Sequence, residues 1–200
     1  MKRTVEEHAA RFDEAAAEYD EGPDHPAYRA CVEFVLDHAA PTPEDAVLDL
    51  GTGTGVLALA LAPDAGAVIG RDVSEGMLDR ARGKAAEAGL ETVAFGQGRF
   101  REPNVGRPVD VVVSNFAMHH LDDDAKRAAI DRIAALDPDR FVLGDVMVWD
   151  AETGAEFYDP SVDDPASVGT LLDALVGAGF AVTAAERAHP MAGGLLAERP

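Results

Sequence analysis

Residues 1–40 show the periodicity of two helices. Apolar positions recur every three or four residues over 5–19, and a second stripe of the same kind runs over 28–36. A period near 3.6 residues predicts amphipathic helices. Turn residues at 21–24 separate the two stripes, and the Pro-Thr-Pro run at 41–43 ends the second. Two helices are therefore predicted to precede the rest of the fold.

Short apolar runs alternate with helical segments over the remainder of the chain. Strands are predicted at 46–50, 67–70, 92–95, 109–113, 141–146, 181–183 and 194–197. Helices are predicted at 56–61, after Ser74, from Asp122 or Asp123, and at about 166–176. Strands that alternate with helices through short connections form a mostly parallel sheet covered on both faces. The pattern predicts one α/β domain over residues 1–200, with a central sheet of about seven strands.

Composition favours a folded domain with an acidic surface. The chain has 200 residues, 47% of them hydrophobic, which suffices for one sizeable core. Lys and Arg total 17 against 37 Asp and Glu, and the formal net charge is −20. The acidic residues are scattered between apolar runs, whereas disordered acidic segments lack apolar residues. Such a surface resembles those of salt-adapted, halophilic proteins, in which concentrated ions screen the self-repulsion.

Several classes of function are disfavoured. Lys and Arg form no cluster of the kind that binds a phosphate backbone, so no nucleic-acid partner is expected. Cys31 is the single cysteine, which excludes an intrachain disulfide and a Cys-rich zinc site. Residues 1–20 lack the apolar core of a signal peptide, and no stretch approaches the roughly 18 apolar residues of a spanning helix. A soluble, cytoplasmic protein without a membrane partner is expected.

A glycine-rich loop follows the first predicted strand. The run Gly51-Thr52-Gly53-Thr54-Gly55 lies between this strand and a helix, where missing side chains let a ligand meet backbone N–H groups. Asp72 follows at the end of the next strand, about 20 residues on, where a carboxylate can accept hydrogen bonds from two ribose hydroxyls. Together these features predict a nucleoside cofactor.

The spacing of the glycines distinguishes two common kinds of nucleoside cofactor. Dinucleotide sites read G-x-G-x-x-G, whereas this loop reads G-x-G-x-G and Asp49 lies two residues before Gly51. A carboxylate there repels a pyrophosphate and suits an ammonium group. The segment 47–55, Val-Leu-Asp-Leu-Gly-Thr-Gly-Thr-Gly, resembles the corresponding motif of class I methyltransferases. The resemblance implies S-adenosylmethionine as the cofactor, with the loop beside its amino-acid moiety and Asp72 on the ribose.

Two further motifs extend the resemblance over nearly the whole chain. Segments 12–20 (FDEAAAEYD) and 114–121 (SNFAMHHL) are similar to paired motifs of small methyltransferases of unassigned substrate. The resemblance implies a Rossmann-like methyltransferase fold with an antiparallel last strand. It also implies cofactor contacts from loop, strand-end and aromatic residues: Tyr19, Asp49, Gly51, Thr52, Gly53, Gly55, Asp72, Val73, Met77, Gln97, Phe100, Asn115 and Phe116. The helices of residues 1–40 are expected to act as a lid, with Tyr19 over the sulfonium.

One position departs from the family pattern. Relatives usually place Asp after the glycine that corresponds to Gly98, where it accepts a hydrogen bond from adenine, but this chain has Arg99. Arginine has no acceptor atom, so adenine is expected to be held by Gln97 and by stacking on Phe100.

His119 and His120 are the candidate catalytic residues. They follow the fourth strand, at the edge where ligands of open α/β sheets collect, and an imidazole can take a proton from a methyl acceptor. The alternative is that one histidine packs against the loop while the other faces solvent. A metal ion held by His119, His120 and Asp122 is not expected, because adjacent side chains point apart.

The function expected is methyl transfer from S-adenosylmethionine to an O, N, S or C atom of a small-molecule acceptor. Phe116-Ala117 stands where methyltransferases of DNA bases or glutamine carry the prolines of their D/N-P-P-Y/F signature, which disfavours those substrates. One alternative is a non-catalytic cofactor-binding or scaffolding protein on the same fold, which Arg99 favours. A second is an NAD(P)-dependent oxidoreductase.

Overall fold

The computed structural model describes residues 4–21, 25–150 and 158–200, so Gly22 to Asp24 of the predicted turn lie outside the described residues. The helices are α1 (Val5–Ala15), α2 (Pro26–Ala39), α3 (Val56–Leu61), α4 (Glu75–Glu87), α5 (Asp123–Ala134) and α6 (Val168–Gly177). The strands are β1 (Ala46–Leu50), β2 (Ala67–Asp72), β3 (Val93–Gln97), β4 (Val111–Asn115), β5 (Arg140–Val146), β6 (Ala181–His189) and β7 (Ala192–Glu198).

The seven strands form one sheet in the order β3-β2-β1-β4-β5-β7-β6. Strands β1 to β5 pair in parallel, and β7 runs antiparallel to both of its neighbours, β5 and β6. The predicted α/β fold with an antiparallel last strand is thus confirmed. The strand order reverses between β1 and β4, and the carboxyl ends of two such strands flank the crevice in which open α/β sheets bind ligands.

Apolar side chains cover both faces of the sheet. Phe34 and Val35 of α2 and Leu57 of α3 pack on one face, against buried valines of β1, β2, β4 and β5. Ile130 of α5 and Leu171 of α6 pack on the other, with leucines of β1 and β5. Strands buried on both faces are continuous apolar runs, which is why they could be recognised in the sequence.

Helix starts follow local side-chain chemistry. Ser74 and Asp122 are the N-caps of α4 and α5, and each accepts a hydrogen bond from the backbone N–H three residues on. Thr4 and Glu7 form a reciprocal capping box at the start of α1. The predicted starts after Ser74 and at Asp122 are therefore correct, because capping depends only on neighbouring residues.

The first helix ends earlier than its apolar stripe. Helix α1 stops at Ala15, and Tyr19 belongs to a separate short 3-10 helix, Tyr19–Glu21. Distant contacts fix this segment, since the Asp20 carboxylate accepts a hydrogen bond from Thr54 and pairs with Lys84. The prediction that Tyr19 ends the first helix is thus wrong, because tertiary contacts override helix propensity here.

The final hairpin extends well beyond the predicted strands. Strand β6 continues to His189, most of its residues are exposed, and it pairs with β7 along its length. An exposed edge strand lacks the apolar run that marks a buried one. Across the described residues, no helix combines the length and apolar character needed to cross a membrane.

Candidate functional site

A cavity of about 330 Å³ opens beyond the carboxyl ends of β1, β2 and β4. It contains most of the residues predicted to bind a cofactor: Tyr19, Asp49, Gly51, Thr52, Gly53, Asp72, Val73, Met77, Phe100, Asn115 and Phe116. Gly55, Gln97 and His119 do not line it, whereas His120 does. The structure therefore brings together side chains from distant parts of the chain at the edge of the sheet where a ligand was expected.

The backbone N–H groups of the glycine loop are used within the protein. Those of Gly51 and Thr52 donate to the carbonyl oxygen of Arg71, and that of Gly55 donates to Thr52. The Gly53 N–H donates to a carboxylate oxygen of Asp72 at 2.8 Å. Four of the five loop N–H groups thus have internal partners. The expectation of a ligand bound to these groups is corrected, and the loop offers little to an anion such as pyrophosphate.

The three glycines of the loop have different surroundings. All three have positive φ angles, which glycine adopts without strain. A Cβ on Gly51 would lie 2.3 Å from that of Ala117, and one on Gly55 would lie 3.1 Å from that of Ala81, so these two allow close packing. A Cβ on Gly53 would meet nothing within 4 Å. Gly53 is therefore the glycine whose missing side chain leaves free space in the cavity.

Asp49 places a carboxyl group at the floor of the cavity. The side chain is fully buried, and Oδ2 accepts a hydrogen bond of 2.6 Å from the Thr52 hydroxyl. Oδ1 is buried and has no hydrogen-bond partner in the described part of the chain. Burial raises the pKa of Asp49 to about 7, although the bond from Thr52 opposes this rise. An acceptor atom is thus left for a cationic or donor group of a ligand.

Asp72 joins the end of β2 to the loop. One carboxylate oxygen accepts from Gly53 N and the other from Ser74 N at 3.0 Å. Burial raises the pKa of Asp72, and these two backbone hydrogen bonds oppose the rise. Each carboxylate oxygen can accept a second hydrogen bond. The side chain can therefore hold its backbone partners and also bind hydroxyl groups in the cavity.

The far end of the cavity differs from the sequence-based expectation. Gln97 is exposed and outside the cavity, and its backbone oxygen accepts a hydrogen bond from Asn104. Arg99 lines the cavity but its guanidinium pairs with Glu102 at 2.6 Å. Phe100 lies in the cavity wall and is largely buried. Of the two residues expected to hold adenine, the structure places Phe100, and not Gln97, where it could do so.

An aromatic wall faces the glycine loop. Phe116 has a left-handed φ of 50°, and its ring packs edge-on against Tyr28 of α2 at a centroid distance of 5.1 Å. Strained backbone of this kind at a strand end is common in functional sites. Burial raises the pKa of Tyr28 to about 12, which keeps its phenol neutral. The sequence predicted Tyr28 only as part of the apolar stripe of the second helix. Its one signal of a place in the cavity wall was that a tyrosine stands among apolar residues.

The two neighbouring histidines have different environments. Nδ1 of His119 lies 2.5 Å from the buried carboxylate of Asp145, which also accepts the backbone N–H of His119. The ring of His120 lies in the cavity wall, and its Nδ1 is 2.9 Å from Oδ1 of Asp163. Asp163 belongs to the connection between β5 and α6 and follows no recognisable motif, so nothing in the sequence pointed to it.

The N-terminal segment covers part of the cavity. Val5, His8 and Phe12 of α1 line it, together with Tyr19. The Asp13 carboxylate accepts hydrogen bonds from the Ser74 hydroxyl and from Gly76 N at the start of α4. These bonds lower the pKa of Asp13. Contacts of Asp13 with α4, and of Asp20 with Thr54 and Lys84, hold this cover in place.

Comparison with known proteins identifies the family. A family model described as a methyltransferase domain matches residues 47–137. A methyltransferase of Geobacillus sp. (strain WCH70) is 32% identical over 150 residues, which cover 74% of this chain and 68% of the relative.

Solved structures share the fold. Magnesium protoporphyrin IX methyltransferase from Synechocystis PCC 6803, with bound S-adenosylhomocysteine, superposes with a TM-score of 0.77 at 20% identity and covers 98% of this chain and 99% of its own. The [4+2]-cyclase SpnF superposes with a TM-score of 0.80 at 17% identity, covering 100% of this chain and 98% of its own. On the identity and coverage of the Geobacillus relative, the chain belongs to the class I S-adenosylmethionine-dependent methyltransferase family.

Proposed function

We propose that this protein transfers the methyl group of S-adenosylmethionine to a small-molecule acceptor. The observation that carries the proposal is a single cavity with two different sides. One side consists of Asp49, the glycine loop and Asp72, and the other of aromatic and histidine side chains. A cofactor on the first side would present its reactive end to an acceptor on the second.

The first side fits this cofactor on four separate observations. The free Oδ1 of Asp49 suits the ammonium group of the amino-acid moiety, and the space beside Gly53 admits a ligand close to the backbone. Asp72 retains acceptor capacity for the two ribose hydroxyls. Val73, Met77 and Phe100 supply apolar contacts for the adenine. When bound, the cofactor supplies an electrophilic methyl group on a sulfonium.

The second side suits a compact and largely apolar acceptor. Phe12, Leu121 and Ala125 line it, and the only imidazoles at its surface within the described residues are those of His8 and His120. The main contribution of the protein would be to align the acceptor with the methyl group and to exclude water. Of the two candidate catalytic histidines, His120 can reach the acceptor, while His119 is turned towards Asp145.

Of residues 1–40, expected to act as a lid, only the part before α2 is proposed to do so, because α2 packs against the sheet. Residues 4–21 would close over the cofactor, because α1 and Tyr19 line the cavity and are held to α4 and the glycine loop by a few carboxylate contacts. A cover fixed by so few contacts can open without disturbing the sheet.

A non-catalytic cofactor-binding protein is the second candidate. Arg99 favours it, since a guanidinium paired with Glu102 offers adenine no acceptor. A dinucleotide oxidoreductase is disfavoured by the loop, four of whose five N–H groups have internal partners, and by the carboxyl group of Asp49.

Product formation separates these functions. Incubation with methyl-labelled S-adenosylmethionine and the small-molecule fraction of a cell extract should yield S-adenosylhomocysteine and one labelled small molecule. Asp72→Ala should weaken cofactor binding by at least about 1.5 kcal/mol, because two ribose hydroxyls lose a charged acceptor, and should suppress product. Binding of the cofactor by calorimetry without any turnover would instead support the non-catalytic candidate.

Gly53→Ala should raise the dissociation constant for S-adenosylmethionine at least about tenfold, because the new methyl group projects into free space of the cavity. Gly89→Ala is the matched control, since Gly89 also has positive φ and open space around its Cβ position but lies after α4, away from the cavity. Both variants should lose similar thermal stability. Equal cofactor affinity in the two variants would contradict the assignment of the loop.

Cofactor affinity should depend on the ionisation of Asp49. Its pKa in the empty protein is about 7, and a bound ammonium group stabilises the carboxylate, so binding releases a proton. Affinity should therefore rise from about pH 5.5 to about pH 7, by up to about tenfold per unit where the group starts protonated. Calorimetry on Asp64→Asn, an exposed control, should show the same increase of affinity with pH. The increase should be absent in Asp49→Asn. A slope that survives in Asp49→Asn would place the titration elsewhere.

Asp13→Ala should loosen the lid. Hydrogen exchange over residues 5–15 should accelerate and cofactor affinity should fall several-fold, because Ser74 and Gly76 lose their shared acceptor. Glu14→Ala, which removes an exposed carboxylate from the same helix, should change neither. If residues 5–15 of the unaltered protein are equally protected with and without cofactor, α1 is a fixed part of the core.

A further inference from the structure

The side chain of His120 has one nitrogen beside a carboxylate and a ring in the cavity wall. Nδ1 lies 2.9 Å from Oδ1 of Asp163, and both atoms are buried without an aligned hydrogen bond among the described residues, so each is the nearest polar partner of the other. The ring centroid lies 5.5 Å from that of Phe12 and 5.0 Å from that of His8. Both residues belong to α1, so this helix also restrains the ring. Nδ1 points to Asp163, which leaves Nε2 as the nitrogen for the cavity.

The segment that carries Asp163 is anchored to the elements around the histidines. The buried ammonium of Lys126 donates to the carbonyl oxygens of Leu121 and Asp164. The backbone N–H of Asp164 donates in turn to the carbonyl oxygen of His119 at 2.7 Å. The backbone of Asp164, next to Asp163, is thus bonded both to His119 and to Lys126, which holds the carboxylate near His120.

His119 is already committed to another partner. Its Nδ1 contacts Asp145, a buried carboxylate that also accepts the backbone N–H groups of His119 and Val146. Its Nε2 lies 3.7 Å from Asp163. The ring is absent from the cavity lining, so the two adjacent histidines are not equivalent and only one of them can meet an acceptor.

The charges around His120 favour a neutral ring beside an ionised carboxylate. Burial lowers the pKa of His120, and Asp163 and the more distant Asp145 oppose this effect. Burial disfavours the charge of Asp163, but its interactions with His120 and His119 outweigh it and lower its pKa. His8 is the titratable group that faces the ring from α1. An ionised carboxylate 2.9 Å from Nδ1 favours the tautomer that carries its proton on that nitrogen.

We propose that His120 is the general base of the methyl transfer and that Asp163 is its positioning residue, so that the acceptor is a protic nucleophile with an O–H or S–H group. This inference rests on the proposed function and names its acceptor class. As a lone pair of the acceptor oxygen or sulfur forms the new bond to the methyl carbon, the electrons of the breaking carbon–sulfur bond pass to the cofactor sulfur. The O–H or S–H proton moves to Nε2 of His120 and later to solvent.

The tautomer of His120 gives a test that needs no acceptor. In ¹⁵N-labelled protein, long-range ¹H–¹⁵N spectra should show His120 protonated at Nδ1 near neutral pH, with and without S-adenosylhomocysteine. Asp163→Asn should shift the population towards the Nε2-protonated form, whereas Asp64→Asn, the same change at an exposed site away from the cavity, should not. An Nε2-protonated His120 in the unaltered protein would overturn the proposal even if methyl transfer is demonstrated.

Acceptor probes test the catalytic consequence. Phenylmethanethiol and phenol, which are protonated near neutral pH and lose a proton on methylation, should release S-adenosylhomocysteine, and the aprotic controls benzyl methyl sulfide and dimethylaniline should not. His120→Gln should lower kcat by about 10²-fold or more with a small change in KM, and Asp163→Asn should lower it by about tenfold or more and flatten the pH profile. Turnover of the aprotic probes, or unchanged kcat in both variants, would overturn the proposal.

A metal ion is the competing occupant of this cluster. Ligand atoms of His119, His120 and Asp163 lie within 4.8 Å of one another, a spacing that a divalent cation could also bridge. Activity that a chelator abolishes and ZnCl₂ restores would therefore overturn the role of His120 as a base. Activity and tautomer that are unchanged by the chelator support it. Failure of cofactor binding itself would count against the proposed function and leave the tautomer result standing.

Discussion

The shape of the cavity depends on the hydrogen bond from the Gly53 N–H to Asp72. Together with the bonds from Gly51 and Thr52 to Arg71, it fixes the glycine loop to the end of the neighbouring strand. The same carboxylate then serves two purposes, as it closes the loop and retains acceptor capacity for a ligand. A loop with four of its five N–H donors bonded internally offers few donors to an anion, which distinguishes this site from a pyrophosphate-binding one.

The parts that could be predicted from the sequence are those determined by near neighbours. The starts of α4 and α5 follow from the caps Ser74 and Asp122, and the buried strands follow from apolar runs. The glycine loop and Asp72 lie on adjacent parallel strands, so a motif in sequence becomes a site in space with no further information. Elements whose shape is set by partners elsewhere, such as the end of α1 and the edge strand β6, were predicted less well.

The acceptor side of the cavity was harder to predict because its residues come from unrelated segments. Tyr28 lies on α2, His8 on α1 and Asp163 in the connection after β5. None of them belongs to a motif, and their proximity arises only when helices and loops pack over the edge of the sheet. The pair His119 and His120 was recognised, but the contacts with Asp145 and Asp163 that make the two rings different depend on tertiary structure.

Local contacts, and not the net charge, decide how the carboxyl groups of the site ionise. A charge of −20 opposes further ionisation everywhere, yet Asp13 and Asp163 have lowered pKa values because hydrogen-bond donors and, for Asp163, two imidazole rings lie beside them. Burial gives Asp49 the opposite shift, because it outweighs the hydrogen bonding to that carboxyl group. Salt screens charges that are exposed to solvent far more than buried pairs. A change in ionic strength should therefore act on the acidic surface while the protonation pattern of the cavity is largely preserved.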